Sequence, residues 1–222
     1  MSKVILAPSI LTANTRYLDI ELGIAEFSGA EYIHVDIMDG LFVANKTWDA
    51  SFLASFSKKT KLVKDVHIMV VEPWKWIVRL AKAGADIITF HLEACKDEQD
   101  VTRTIDLIHK CGKKAAIAIS PNTTSHALFP FIHKLEQILI MTVVPGKGGQ
   151  SFLPSALAKV REIRHEIDEF TIGEKPLIEV DGGINRLTGR LAREAGADIL
   201  VAGSYLYGHP DFKERAAHLL KL

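Results

Sequence analysis

The sequence predicts an α/β fold, a single (β/α)8 or TIM barrel spanning residues 1–222. Three observations carry this prediction: short apolar segments alternate with helical segments throughout, eight such pairs occupy the 222 residues, and one pattern recurs about half a chain apart. Strands that alternate with helices form right-handed βαβ units on a parallel sheet. Eight units at this length are typical of the more compact barrels.

Each predicted strand is a short apolar run, and each predicted helix is an amphipathic stretch that follows it. The predicted strands are, in order, Val4–Ile10, Tyr32–Ile37, Leu62–Ile68, Ile87–His91, Lys114–Ile119, Ile138–Val143, Leu177–Val180 and Ile199–Ala202. The predicted helices are Tyr17–Phe27, Ala50–Phe56, Pro73–Ala83, Glu98–Cys111, Ser125–Ile132, Pro154–Ile167, Leu187–Ala195 and Pro210–Leu220.

A repeated turn supports this count of units. The segment around Gly84 (KAGADII) resembles the one around Gly196 (EAGADIL), and Gly29 lies in a weaker copy. In each copy we expect a glycine in left-handed geometry to end a helix shortly before a strand begins. A chance likeness between common turns is the alternative. The longest irregular stretch, Gly40–Asp49, follows the second strand and is a candidate lid.

Composition points to an ordinary globular protein, with 48% hydrophobic and 24% charged residues. Lys plus Arg equal Asp plus Glu at 27 each, so no net charge draws the chain to nucleic acid or to an anionic membrane. Two cysteines, Cys95 and Cys111, are too few for a disulfide framework. The first apolar run is interrupted by Pro8 and is shorter than the roughly 18 residues of a membrane span. We therefore expect a cytoplasmic protein without nucleic-acid or membrane partners.

Polar residues cluster where the predicted strands end, which is where barrel enzymes place their chemistry. They are Ser9, His34, Asp36, Asp65, His67, His91, Glu93, Glu179, Asp181 and Ser204. The two-residue spacing puts His34 with Asp36, Asp65 with His67, and Glu179 with Asp181 on common strand faces.

Two histidines and two carboxylates from three strands could converge on one metal ion. The candidates are His34, Asp36, His67 and Asp181, a set that suits Zn²⁺, Fe²⁺ or Mn²⁺ and leaves positions open for substrate oxygens. The alternative is a group of separate buried polar residues, each satisfied by its own neighbours.

Glycine clusters after the sixth, seventh and eighth strands predict a phosphate site. They comprise Gly146, Gly148 and Gly149 around Lys147, then Gly182 and Gly183, then Gly203 beside Ser204. Glycine lets backbone N–H groups approach an anion, and barrels commonly bind phosphate in these loops. Ordinary turn chemistry is the alternative.

Three of the four methionines, Met38, Met69 and Met141, stand at strand ends. They could form an apolar wall beside the reacting atoms, or they could fill the barrel core.

Taken together, these segments resemble the ribulose-phosphate 3-epimerase family of ribulose-phosphate-binding barrels. The matching stretches are Ala7–Leu11, His34–Gly40, Asp65–Met69, Met141–Val143, Pro145–Gln150, Val180–Gly183 and Val201–Ser204. They run in the family's order from the first strand to the last. The family interconverts D-ribulose 5-phosphate and D-xylulose 5-phosphate with a divalent metal.

The resemblance implies a role for each matching residue. It implies that the metal ligands are His34, Asp36, His67 and Asp181, and that Asp36 and Asp181 are the acid/base pair. It implies substrate contacts from Ser9, His67, Met38, Met69, Met141, Gly146, Lys147, Gly148, Gly149, Gly182, Gly183, Gly203 and Ser204. The expected partner is a small-molecule ketose phosphate, and we expect a homo-oligomer.

The chain departs from the family pattern at four places near the barrel mouth, and these leave the sugar open. The residues that replace the usual ones are Leu41 and Ala44, the stretch Lys46–Asp49, Ser120, and Val144 with Lys147. Epimerisation of a six-carbon ketose 6-phosphate such as allulose 6-phosphate is therefore the close alternative. A non-catalytic phospho-sugar binding barrel is a more remote one. A related decarboxylase would need an Asp-x-Lys-x-x-Asp run, which the chain lacks.

Overall fold

The computed structural model describes residues 3–222, so Met1 and Ser2 of the predicted domain lie outside the described residues. Eight parallel strands form one sheet in the order β1-β8-β7-β6-β5-β4-β3-β2. They are β1 Ile5–Pro8, β2 Tyr32–Met38, β3 Val63–Met69, β4 Ile87–His91, β5 Lys114–Ile119, β6 Gln137–Met141, β7 Leu177–Asp181 and β8 Ile199–Ala202. A parallel bridge between Ser9 and His34 joins the two ends of this order. The predicted (β/α)8 barrel is confirmed.

In the described part of the chain, six α-helices lie between successive strands, as crossovers between parallel strands require, and the seventh follows β8. They are α1 Leu18–Phe27, α2 Ala50–Phe56, α3 Trp74–Ala83, α4 Glu98–Lys110, α5 Ala156–Phe170, α6 Arg186–Ala195 and α7 Phe212–Leu220. The 3₁₀ helices are Ile10–Thr12, Thr15–Tyr17, Leu92–Ala94 and Ser125–Lys134. Among residues 3–222, no helix is both long enough and apolar enough to cross a membrane.

Strand alternation divides the core into an outer and an inner part. On β2, Ile33, Val35 and Ile37 belong to the large apolar cluster that includes the helices. The intervening residues, among them His34 and Asp36, point into the barrel. A smaller apolar cluster fills the lower interior with side chains such as Tyr32 of β2 and Ile87 of β4. The polar residues therefore lie above a packed apolar layer, toward the carboxyl ends of the strands.

The repeated turn has the predicted geometry. Gly84 and Gly196 end α3 and α6 at φ of +106° and +112°, and Gly29 follows α1 at +85°. Cys95 and Cys111 are both free thiols, as expected.

Most predicted elements differ from the observed ones by one to three residues at an end, and three differences have an instructive cause or extent. The α-helix expected at Ser125–Ile132 is a 3₁₀ helix over Ser125–Lys134, where Pro130 lacks the N–H that an α-helix uses. Strand β1 stops at Pro8 because the Ser9 side chain accepts from Leu11 N–H and begins a 3₁₀ turn. Strand β6 ends at Met141 and not at Val143.

Candidate active site

A cleft with an empty volume of about 550 Å³ opens at the carboxyl ends of the strands. Most of the predicted site residues line it: Ser9, Asp36, Met38, Met69, Met141, Gly146, Lys147, Gly148, Gly149, Asp181, Gly182, Gly183, Gly203 and Ser204. His34 and His67 are fully buried within the barrel and adjoin Asp36. The structure thus brings the predicted residues from six strands to one place.

The register between β2 and β3 determines the position of the two histidines. Asp36 lies opposite His67, and His34 lies opposite Asp65. Both pairs occupy interior positions because side chains on a strand alternate between its two faces. Two histidines, His34 and His67, and two carboxylates, Asp36 and Asp65, therefore lie side by side inside the barrel.

Four atoms that could bind a metal ion converge where Asp181 of β7 comes close to His34, Asp36 and His67. One atom each from His34, Asp36, His67 and Asp181 lies within 4.8 Å of all the others. Nε2 of His34 is buried without a hydrogen-bond partner, and it lies 3.4 Å from Oδ1 of Asp36. Nδ1 of His67 lies 3.1 Å from the same oxygen. Two ring nitrogens and two carboxylates thus surround one small volume.

The charges of this group favour a cation. Burial opposes a charge on His34, but Asp36 and Asp65 outweigh it and raise its pKa well above the usual range. Burial likewise opposes a charge on Asp36, but His34 and His67 outweigh it and hold its pKa well below the usual range. The pocket therefore attracts positive charge, and the N2O2 donor set fits a divalent ion such as Zn²⁺, Fe²⁺ or Mn²⁺.

Asp181 differs from Asp36 in its ionisation. Burial, reinforced by the negative charge of Asp36, raises the pKa of Asp181 to about 7. Near neutral pH, Asp36 is ionised while Asp181 can carry a proton. Two carboxyl groups with opposite pKa shifts beside one cleft are the arrangement that general acid–base chemistry uses.

A second polar group lies beneath His34. Its Nδ1 is 2.8 Å from Oδ2 of Asp65, and Gln137 donates to Glu179 over 2.6 Å. Burial and the charge of Asp65 raise the pKa of Glu179 well above its usual range. Glu179 is therefore neutral beside an ionised Asp65. The Asp65 carboxylate orients His34 with Nε2 toward Asp36, as partners of metal-bound histidines commonly do.

Ser9 is positioned toward Asp36 as well as toward the cleft. Its hydroxyl donates to Oδ2 of Asp36 over 3.0 Å, and it accepts from Leu11 N–H over 3.3 Å. The serine therefore fixes the orientation of this carboxylate, a contact that the sequence did not predict.

The three methionines form one apolar side of the cleft. Met38 and Met69 are paired in register at the ends of β2 and β3, and Met141 ends β6. All three are at most 2% exposed, yet all line the cleft. The three methionines therefore form a wall of the cleft and are also packed in the barrel core.

The loop after β7 has room for glycine only. At Gly183, φ is +65° and a Cβ would lie 2.6 Å from the backbone nitrogen of Phe152. At Gly182, φ is +120° and a Cβ would lie 2.5 Å from the Val143 side chain. Gly182 and Gly183 also line the cleft, so backbone without side chains forms this part of its wall.

The loop after β6 is tied to the candidate lid. Asn45 Nδ2 donates to Gly146 O over 2.7 Å, and Gln150 Nε2 donates to the carbonyls of Val144 and Lys147. Lys147 is exposed and lines the cleft from this loop. The loop therefore presents a cationic side chain at the cleft entrance.

Two threonines that the sequence argument did not assign also shape the site. The Thr142 hydroxyl donates to Asp181 O and Gly182 O, and Thr47 accepts from Met38 N–H and donates to Asp36 O. Thr142 lies between Met141 and Val143 in a stretch that matches the family, so the sequence could have indicated that it belongs to the site. Thr47 lies in an irregular loop and had no such signal.

Residues 5–207 match the model of the Ribulose-phosphate 3 epimerase family. The chain belongs to this family. It is 44% identical over 214 residues to a ribulose-phosphate 3-epimerase of Bacillus subtilis (strain 168), covering 96% of each chain. It is 42% identical over 218 residues to a ribulose-phosphate 3-epimerase of Synechocystis sp., covering 98% of this chain and 94% of that protein. The chain is thus an epimerase-type isomerase.

Solved structures of more distant proteins share the fold. A 3-keto-L-gulonate-6-phosphate decarboxylase from Vibrio cholerae superimposes with a TM-score of 0.70 at 13% identity, covering 99% of this chain and 97% of that one. A likeness at this identity concerns the barrel alone, because unrelated activities share this fold.

Proposed function

We propose that this epimerase interconverts D-ribulose 5-phosphate and D-xylulose 5-phosphate, a step of the pentose phosphate pathway, by metal-dependent proton transfer at carbon 3 through an enediolate. The observation that carries the proposal is the pair of carboxyl groups on the buried Asp36 and the partly buried Asp181, which lie beside one cleft and have opposite pKa shifts. Family membership supports the substrate class.

Each carboxylate acts on one face of the substrate. Carbon 3 is next to the keto group, so removal of its proton gives a planar enediolate. Ionised Asp36 takes the proton on one face, and protonated Asp181 gives a proton to the opposite face. In the reverse direction the two residues exchange these roles. Inversion requires this arrangement, since a single base on one face would return the proton to the side from which it came.

The metal would be held by His34, Asp36, His67 and Asp181. When bound, a divalent ion supplies Lewis-acid stabilisation of the negative charge that develops on the substrate oxygens. The Ser9 hydroxyl keeps Asp36 oriented while this carboxylate serves both roles.

The rest of the cleft binds and encloses the sugar phosphate. Met38, Met69 and Met141 exclude water from the enediolate, which limits its loss to side reactions. The glycine loops Gly146–Gly149, Gly182–Gly183 and Gly203–Ser204 bind the phosphate, with the ammonium group of Lys147 at the entrance.

The six-carbon alternative concerns the same chemistry on a longer sugar. Of the residues that depart from the family pattern, Lys147 lines the cleft, whereas Leu41 is an exposed residue of the loop after β2, and neither belongs to the acid/base pair or to the metal-ligand group. Presenting five- and six-carbon ketose phosphates in D2O separates the possibilities. We expect deuterium at carbon 3 and the epimeric product from ribulose 5-phosphate at a higher kcat/KM than from allulose 6-phosphate. The opposite ranking would assign the six-carbon substrate, and binding without exchange would assign a phospho-sugar binding protein.

The remaining predictions concern partners and location. We expect a cytoplasmic homo-oligomer that uses a small-molecule substrate and binds neither nucleic acid nor membranes. Helix α1 exposes Ile20, Ile24 and Phe27, apolar side chains that a second copy would cover. Light scattering coupled to gel filtration measures the oligomeric state, and a monomeric mass would contradict this expectation.

A further inference from the structure

Two polar residues at the end of β4 have no part in the mechanism above. His91 is the last residue of β4, and Glu93 lies in the 3₁₀ turn that follows it. Nε2 of His91 lies 2.9 Å from Nε2 of His67, and Nδ1 of His91 lies 3.0 Å from Oε2 of Glu93. Glu93, His91 and His67 thus form a hydrogen-bond chain that ends at the candidate metal site.

Glu93 acts only as an acceptor in this chain. Its Oε1 accepts from the Ser120 backbone N–H over 2.7 Å and from the Thr123 hydroxyl. Burial would raise the pKa of Glu93, but the hydrogen bonds from His91, Thr123 and Ser120 outweigh it and lower the pKa to about 2. Both carboxylate oxygens are therefore occupied by donors, and the donor from His91 is Nδ1–H.

Because His91 carries its proton on Nδ1, it determines which ring nitrogen of His67 is protonated. A neutral imidazole carries one N–H, and burial disfavours the charged ring, so Nε2 of His91 is an acceptor. Only one proton can lie between the two Nε2 atoms, and it must therefore belong to His67. A His67 that binds a metal ion must be neutral, so its one proton lies on Nε2 and its Nδ1, which is 3.1 Å from Asp36 Oδ1, carries none.

We propose that Glu93, acting through His91, is a positioning residue that keeps His67 in the Nε2–H tautomer and so keeps its Nδ1 free to bind the metal. The inference rests on the proposed function, because it assigns His67 as a ligand. Outer partners of this kind orient a ligating histidine and increase its basicity.

The change Glu93→Gln tests this proposal because it reverses which atom donates and which accepts at each step of the hydrogen-bond chain. The Ser120 N–H is a fixed backbone donor, so the amide oxygen of Gln faces it and the NH2 group faces His91. Nδ1 of His91 then accepts, its proton moves to Nε2, and the proton of His67 moves to Nδ1. That proton blocks the metal ligand, although the substituted residue has nearly the same shape.

Glu136→Gln is a matched control at the amino-terminal ends of the strands, the end of the barrel opposite the cleft. Like Glu93, Glu136 accepts from a histidine, His109, and from a backbone N–H, Ala115, although here both donors reach the same oxygen, Oε2. It lies directly before β6, away from the cleft. The control therefore removes the same charge from a similar Glu–His pair without touching the hydrogen-bond chain.

The readouts are Zn²⁺ affinity by chelator competition and the histidine tautomers of the Zn²⁺-loaded protein by ¹⁵N-detected NMR. We expect Glu93→Gln to weaken Zn²⁺ binding by about 10- to 100-fold and to move the His91 proton to Nε2, while Glu136→Gln changes neither. Equal Zn²⁺ affinity in Glu93→Gln and wild type, or a wild-type His91 protonated on Nε2, would overturn the proposal.

Two changes at His91 cover the case in which Glu93→Gln fails to fold. His91→Phe keeps a ring beside Phe42, whose centroid lies 5.0 Å away, but removes the acceptor. His91→Gln retains an oxygen acceptor for His67. We expect weaker Zn²⁺ binding in the first and near-normal binding in the second, and equal loss in both would contradict a role through the acceptor. A wild-type protein that retains no Zn²⁺ would instead overturn the metal-dependent function itself.

Discussion

One carboxylate oxygen of Asp36 and one of Asp181 lie within 4.8 Å of each other, although β2 and β7 are separated by β1 and β8. This closeness contributes to the different ionisation of the two groups. Burial, reinforced by the charge of Asp36, raises the pKa of Asp181, whereas the neighbouring histidines outweigh burial and keep Asp36 ionised. Barrel closure therefore creates an acid and a base from two residues that are chemically the same.

Removing either carboxylate tests the two-base assignment. We expect Asp36→Asn and Asp181→Asn each to lower kcat for epimerisation by about 10²- to 10⁴-fold, because each loses the proton carrier on one face. Metal analysis of each variant controls for loss of the ion. Exchange of the carbon 3 proton with D2O should persist in Asp181→Asn for only one of the two epimers. Near-normal turnover in either variant, or equal residual exchange of both epimers, would contradict the assignment.

Metal removal should abolish activity. Dialysis against a chelator empties the His34, Asp36, His67 and Asp181 group, and Zn²⁺, Mn²⁺ or anaerobic Fe²⁺ should restore turnover since the N2O2 donor set suits these ions. His34→Ala and His67→Ala should each retain less metal by elemental analysis, whereas His109→Ala, on a distant surface pair, should retain it fully. Full activity in a demonstrably metal-free preparation would refute the Lewis-acid role.

Lys147 should contribute to substrate binding and little to the chemical step. The phosphate lies far from carbon 3, so its contacts are similar in the ground state and the transition state. We expect Lys147→Phe to raise KM with little change in kcat, which is the result of losing uniform binding. Because Lys147 is exposed, added salt should diminish the difference. Lys58→Phe makes the same change on the outer surface, and an unchanged KM for Lys147→Phe at low ionic strength would remove Lys147 from the phosphate site.

Gly183→Ala should destabilise the protein more than Gly173→Ala does, because the two glycines have different surroundings. Gly173 also has a positive φ, +96°, but a Cβ there meets nothing within 4 Å. We expect Gly173→Ala to cost about 1–2 kcal/mol in left-handed strain, and Gly183→Ala to cost about 1–3 kcal/mol more because its Cβ would overlap the Phe152 backbone. Urea unfolding measures both. Equal costs would show that the loop moves to accommodate the methyl group.

The sequence alone determined the barrel and pointed to most residues of the candidate site. The two-residue alternation of strand side chains predicted that His34 shares a strand face with Asp36, and Asp65 with His67. Glycines predicted the ends of the helices before β4 and β8. These features are local, because alternation and left-handed turns depend on residues close together in the chain. Alternation does not set the strand ends, since the 3₁₀ turn after Pro8 depends on a hydrogen bond from the Leu11 backbone N–H to the Ser9 hydroxyl.

Only the tertiary structure decided which polar residues face one another. The sequence placed His91 and Glu93 at a strand end, but only the packing of β3 against β4 puts His91 next to His67. The Ser9 contact with Asp36 likewise depends on β1 meeting β2 at the barrel seam. Hydrogen bonds, ion pairing and pKa shifts vary steeply with distance and burial. Spacing along the chain does not specify these quantities, because they are set by the register and closure of the whole sheet.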